Sequence, residues 1–162
     1  MRVALNKLGE KVHISNTHVK EDYFCPICCE QLVLKKGDVR IHHFAHKVST
    51  ACKDGWHYDM SEWHVDWQNK FPKENQEIVK TLNGIKHRAD VLIEECKTVI
   101  EFQHSRLSPK EFNDRNHFYN SLGYKVVWLF DIAKLYENDE IEESEKKLIT
   151  IYGKNHLKHL IS

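Results

Sequence analysis

The chain has 162 residues, 41% of them hydrophobic and 10% aromatic, with 24 basic residues balancing 24 acidic ones. That length suits one domain, or a compact domain with a small appendage, and the apolar fraction excludes a disordered chain. With 3 Pro and 6 Gly it is not a linker or fibrous repeat, and zero net charge excludes coating of nucleic acid by bulk electrostatics.

No apolar run reaches the roughly 18 residues of a membrane span. The opening Met1-Arg2-Val3-Ala4-Leu5-Asn6-Lys7 breaks into charge before a signal-peptide core can form, so a cytoplasmic location without membrane contact is expected. Short strands are predicted up to Phe24: Arg2 to Leu5 alternates, Leu8-Gly9-Glu10 turns, and Lys11 to Ile14 alternates again. From Tyr23 to Cys52 the texture changes to Cys, His and short β-like runs. Gln31 to Leu34 and Val39 to Ile41 flank a turn at Lys36-Gly37-Asp38, which predicts a small hairpin.

Four of the 5 Cys fall between Cys25 and Cys52, a pattern of metal ligation in a chain with no export signal. Cys25-Pro26-Ile27-Cys28 puts two thiolates on one tight knuckle. With His43 and His46 from the far side of the hairpin they make a four-coordinate Zn²⁺ site, in which Cys52 or His42 can replace one histidine. So small a hairpin needs such a staple. A thioredoxin-like redox pair is the rival, but no βαβ unit frames this motif. Cys29 and Cys96 read as small buried residues.

Asp59-Met60-Ser61-Glu62 reads as a helix start, where Glu62 can complete a capping box, and Met60, Trp63, Trp67 and Phe71 follow as an apolar stripe until Pro72. Glu77 to Thr81 is a strand, Asn83-Gly84 a hairpin turn, and Arg88 to Ile93 and Thr98 to Gln103 two further strands. Ser108-Pro109 opens a helix that Gly123 stops near Leu122. Lys125 to Phe130 reads as a strand buried on both faces. The expected organisation is a β-rich zinc-binding module over residues 1–56, a core over 57–131, and an extension over 132–162 with an acidic run. The class is α/β, a mixed sheet flanked by helices.

The strongest chemical pattern is Asp90 followed, one strand later, by Glu101-Phe102-Gln103. Alternation puts Glu101 and Gln103 on one face, and a short connection lets Asp90 lie beside Glu101. Two carboxylates in an apolar neighbourhood repel, and a hard cation such as Mg²⁺ (or Mn²⁺) compensates them while accepting a phosphate oxygen. Arg115 and Tyr119 share a helix face, so Arg115 can pin a phosphate or brace a core acid such as Glu101. Ser105 joins Arg115 and Tyr119 in this set, and His64 and His104 are site-lining candidates.

His87-Arg88-Ala89-Asp90-Val91-Leu92, Ile100-Glu101-Phe102-Gln103-His104-Ser105, Arg115-Asn116-His117-Phe118-Tyr119 and Val127-Trp128 resemble the nuclease domain of competence protein CoiA-like proteins. Ser61-Glu62-Trp63-His64 with Trp67, and Phe24-Cys25-Pro26-Ile27-Cys28 with His43-Phe44-Ala45-His46, are similar to the same family. The resemblance implies a restriction-endonuclease-like fold of the PD-(D/E)XK superfamily and a metal-dependent nuclease, with DNA as substrate. It implies Asp90 and Glu101 as metal ligands, Glu62 as an additional acid, and Gln103 where the motif usually has Lys. A catalytically weak nucleic-acid- or protein-binding module on a nuclease-derived fold is the alternative, and a protein partner or homo-oligomer is compatible with either.

Overall fold

The computed structural model describes residues 1–18, 20–47, 52, 60–105 and 107–131. It is a mixed α/β structure with two sheets. The first has five strands in the order β2-β1-β3-β4-β5, all antiparallel. They are β1 (Val3–Leu5), β2 (Lys11–His13), β3 (Tyr23–Phe24), β4 (Gln31–Lys35) and β5 (His43–His46). Gly9, at φ 77°, makes the turn between β1 and β2 that Leu8-Gly9-Glu10 announces. Met1, Ala4, Ile14, Tyr23, Cys25, Leu32 and Phe44 form its small core. The β4–β5 connection is longer than the predicted hairpin: Val39 to Ile41 lies in the loop, and Val39 is 96% exposed. Strand propensity there fails because no apolar surface receives the side chains.

The second sheet has the order β6-β7-β8-β9, comprising β6 (Gln76–Leu82), β7 (Ile85–Ile93), β8 (Thr98–Gln103) and β9 (Lys125–Phe130). The first three strands form an antiparallel meander. Asn83 and Gly84 both take positive φ in its first hairpin, as a type I′ turn requires. Helix α2 (Pro109–Ser121) then carries the chain over the sheet, so β9 returns parallel to β8. Ser108 caps α2 by accepting the Glu111 N–H at 3.1 Å, Pro109 opens it, and Gly123 at φ 84° follows its end.

The strand buried throughout is β8, not β9. All six β8 residues are buried because β8 is central, whereas β9 is an edge strand with only Leu129 buried. Val126 packs into the cluster under α2, and Val127 and Leu129 into the cluster with Phe71 on the other face, but the edge position leaves most of the run half-buried. Cys29 and Cys96, expected inside, are exposed turn residues.

Helix α1 (Glu62–Gln68) is shorter and turned differently from its apolar stripe. Its N-cap is Ser61, whose hydroxyl accepts the His64 N–H, so Glu62 is the first helical residue and closes no capping box. The fully buried side chains of α1 are His64 and Gln68, four apart on one face, while Trp63 and Trp67 are half-buried.

The two sheets are joined through buried polar contacts. Glu77, 2% exposed, accepts the Arg2 N–H at 2.6 Å and the Val3 N–H at 3.2 Å, with Arg88 Nε at 3.6 Å. It holds that position at φ 49°, a left-handed conformation that costs about 1 kcal/mol or more in a non-Gly residue. Lys11 Nζ donates to the carbonyls of Lys73, Glu74 and Gln76, and Lys73 Nζ to Ser15 Oγ.

Candidate functional site

The β7–β8 ladder runs Ile93↔Thr98, Leu92↔Val99 and Val91↔Ile100. Beyond it β7 continues with β6 and β8 continues with β9, so the sheet forks at Asp90 and Glu101. Asp90 stands at the crotch of the fork. Its Oδ2 accepts the Phe102 N–H at 2.8 Å, and its Oδ1 lies 3.4 Å from His64 Nε2. The Asp90 charge acts on Glu101 and raises its carboxyl pKa.

Glu101 is 1% exposed. Burial is the first cause that pushes its carboxyl well above the ordinary range, and the Asp90 charge adds to it. Arg115 and the Tyr119 hydroxyl pull the other way. Arg115 Nη1 donates to Glu101 Oε2 at 2.9 Å and Nη2 to Glu111 Oε1 at 2.6 Å. Glu101 Oε1 has no hydrogen-bond donor among the described residues. Two positions along the same strand face, Gln103 donates from Nε2 to Ser105 O at 2.8 Å and Oγ at 3.1 Å, which leaves its buried Oε1 without a donor as well. Among the described residues, two orphaned oxygens on one face of β8, with the Asp90 charge acting on Glu101, offer a hard, oxygen-only donor set whose chemistry fits a small divalent cation.

Other expected residues fall elsewhere. Arg115 is 2% exposed and held between two carboxylates, with its guanidinium carbon 5.8 Å from the Trp128 ring centroid, so it braces the core rather than gripping phosphate. Tyr119 and His64 are fully buried, and both act toward the acids instead of facing a substrate. Ser105 is exposed at the end of β8, and Glu62 is exposed at the start of α1. Glu62 does not converge with Asp90 and Glu101 into a three-acid group among the described residues.

A second cluster lies in the N-terminal sheet. One ligand atom from each of Cys25, Cys28, His46 and Cys52 comes within 4.8 Å of all the others. Cys28 Sγ is 3.3 Å from His46 Nε2, and Cys25 Sγ is 3.9 Å from Cys52 Sγ. The knuckle closes through Cys29 N–H to Cys25 O and Cys25 N–H to Glu30 O, both 2.9 Å. Burial pushes the Cys25 thiol up to about 12, with Cys52 adding to it, so thiolates here require a neighbouring cation. The soft S₃N set suits zinc.

The cluster corrects the expected ligand set. His43 is outside it, its Nδ1 donating to Ile41 O at 2.8 Å, and Cys52 is inside. His43 and His46 are three apart on β5, and alternation sends them to opposite faces. Only His46 shares the face of Phe44 and the thiols. His42, the other substitute considered, is exposed and does not join.

The sequence assigns Gln68 no role at the site, yet its Nε2 donates to the Asp90 carbonyl at 3.0 Å. The readable signal was a polar pair, His64 and Gln68, at helical spacing beside a Trp stripe.

Residues 7–54 match the family described as Competence protein CoiA, N-terminal domain, and residues 62–161 match Competence protein CoiA, nuclease-like domain. The competence protein CoiA of Bacillus subtilis (strain 168) is 25% identical over 121 residues, covering 70% of this chain and 32% of that protein. The chain therefore aligns with about a third of the relative's length. No solved structure matches.

Proposed function

The chain belongs to the competence protein CoiA family, and from that premise we propose that it is a metal-dependent nuclease of the PD-(D/E)XK type acting on DNA. The observation that carries the reading is the fork, where the Asp90 charge acts on Glu101 and, among the described residues, the buried oxygens Glu101 Oε1 and Gln103 Oε1 on one strand face have no donor. Asp90 and Glu101 would hold Mg²⁺ or Mn²⁺, with Gln103 beside them. When bound, the cation supplies a charge sink for phosphoryl oxygens and acidifies water.

The chain's own residues keep this site in shape. The Phe102 N–H and His64 fix the Asp90 carboxylate, and Arg115 with Tyr119 fixes Glu101. Ser105 turns the Gln103 amide so that its carbonyl oxygen stays free to hold a water. In the N-terminal sheet Cys25, Cys28, His46 and Cys52 would hold a structural Zn²⁺, and thiols of this kind fit the reducing cytoplasm. No described helix is long and apolar enough to cross a membrane.

A second reading is a binding module without strong catalysis. The Glu101–Arg115 pair favours it, because the guanidinium already neutralises one carboxylate, and Gln103 brings no charge. Incubating labelled DNA with the protein in Mg²⁺ or chelator, beside Asp90→Asn, separates the two. Metal-dependent cleavage that Asp90→Asn abolishes supports the nuclease. Binding without cleavage, or cleavage unchanged in Asp90→Asn, supports the second reading or removes the site assignment.

A further inference from the structure

Helix α1 presents two fully buried polar side chains to β7. His64 lies against the Asp90 carboxylate, and Gln68, one turn later, donates to the Asp90 carbonyl at 3.0 Å. The strand needs such a hold at this point. Asp90 is the first β7 residue past the last β7–β8 pair, so on that side the ladder no longer fixes its peptide. A residue whose carboxylate must stay within reach of Glu101 is best fixed by a donor on its own backbone, because a rotated peptide swings the side chain with it.

Gln68 is itself held from two directions. The Gln76 amide donates to the Gln68 carbonyl at 2.9 Å and the Phe71 carbonyl at 2.8 Å, tying the end of α1 to β6. Across the junction, Arg2 Nη1 donates to Gln68 Oε1 at 3.4 Å and Asn69 Oδ1 at 2.8 Å. Arg2 in turn is bound into the first sheet, its carbonyl accepting the Ile14 N–H at 2.7 Å, while its own N–H is given to Glu77. The chain of contacts therefore runs from the thiol-bearing sheet through Arg2 and Gln68 to the backbone of Asp90. A buried glutamine chosen only for packing would be replaceable by leucine at lower desolvation cost.

We infer that Gln68 is a positioning residue for Asp90, and that Arg2 extends this hold into the N-terminal sheet, so that both sheets build one cation site. The inference rests on the nuclease reading above. Residues that orient a metal ligand typically change metal affinity or activity 10–100-fold when removed.

The test uses the full chain, loaded with one equivalent of Zn²⁺, and titrates Mn²⁺ calorimetrically into the wild type, Gln68→Leu, Arg2→Met, Arg2→Lys and Asp90→Asn. Cleavage is measured in parallel for kcat and KM. Gln68→Leu is expected to weaken Mn²⁺ binding by about 10–100-fold and to lower kcat while leaving KM for DNA unchanged. Arg2→Met should move both in the same direction by less, and Arg2→Lys, which keeps a donor, should restore them. Arg2→Met, at the junction, remains informative if Gln68→Leu fails to fold. Mn²⁺ affinity and kcat within twofold of wild type in folded variants, with only a lower Tm, would overturn the inference and leave the nuclease reading standing. If the wild type itself takes up no Mn²⁺ that Asp90→Asn removes, the reading and the inference fall together.

Discussion

The two clusters of crowded ligand groups among the described residues are built in opposite ways. At the fork each acid already has protein partners: Asp90 has the Phe102 N–H and His64, and Glu101 has Arg115 and Tyr119. In the N-terminal sheet the thiols and imidazole mostly face one another, beside a core of seven buried residues among those described. A scaffold that gives each acid a protein partner can stand before a cation arrives. A sheet whose core includes Cys25 cannot be completed without one. Removing metal should therefore silence the fork and unfold the knuckle.

The largest expected effect follows from that contrast. Cys25→Ser or Cys52→Ser should release zinc and loosen residues 20–47 far more than β6 to β9, because structural zinc contributes on the order of 10 kcal/mol to such modules. Hydrogen exchange with metal analysis would show it. His43→Ala should retain a full equivalent of zinc. Loss of zinc in His43→Ala, or retention in Cys52→Ser, would reverse the ligand assignment.

Next comes the brace. Arg115→Met leaves Glu101 buried without its guanidinium partner, and breaking a buried pair from one side costs about 3–5 kcal/mol. Urea denaturation would register that loss. The salt dependence of DNA binding should not change, because a buried Arg115 neutralises no phosphate. A slope lower by about one unit would put Arg115 back at the nucleic-acid surface.

At the fork itself, Asp90→Asn should reduce cleavage by more than about 100-fold, exceeding the loss typical of outer residues. Its melting temperature should move little, since one acid removed from a crowded pair relieves repulsion on Glu101. Cleavage within tenfold of wild type would dismiss Asp90 as a ligand.

The smallest effect is a pH dependence at the junction of the two sheets. Burial, reinforced by Arg2 and Lys73, lowers His13 from 6.5 to about 4. Between those values the unfolded chain binds a proton that the folded one refuses, so stability falls as pH drops through that window. Each tenfold difference in proton affinity between the two states is worth about 1.4 kcal/mol, so the loss is on the order of 1–3 kcal/mol. His13→Asn should flatten urea-denaturation stability over this range. An unchanged slope would assign the acid sensitivity to other groups.

Much of the fold was legible where a local signal coincides with a backbone requirement. Asn83-Gly84, Ser108-Pro109 and Gly123 placed the hairpin and α2 because each answers a need for positive φ, a cap or a stop. The shared face of Glu101 and Gln103 was legible through strand alternation. What escaped depends on three-dimensional surroundings. The apolar β9 looked central but lies at an edge, since periodicity reports side-chain character and not strand order. The β4–β5 turn was drawn too tight because Val39 and Ile41 have strand propensity without a surface to cover. Arg115 was equally readable as anchor or brace until its two carboxylates were seen. The role of Gln68 was not legible, because its partners lie 22 and 66 positions away.

The division of labour between the two clusters is tested most directly by counting metals in one experiment. Native mass spectrometry of the chain with both Zn²⁺ and Mn²⁺ should find one Zn²⁺ that Cys52→Ser removes and Asp90→Asn keeps. It should also find one Mn²⁺ that Asp90→Asn removes and a zinc-loaded His43→Ala protein keeps. A single metal lost in both variants, or Mn²⁺ bound equally well in Asp90→Asn, would contradict a hard-cation site at the fork separate from the thiolate knuckle.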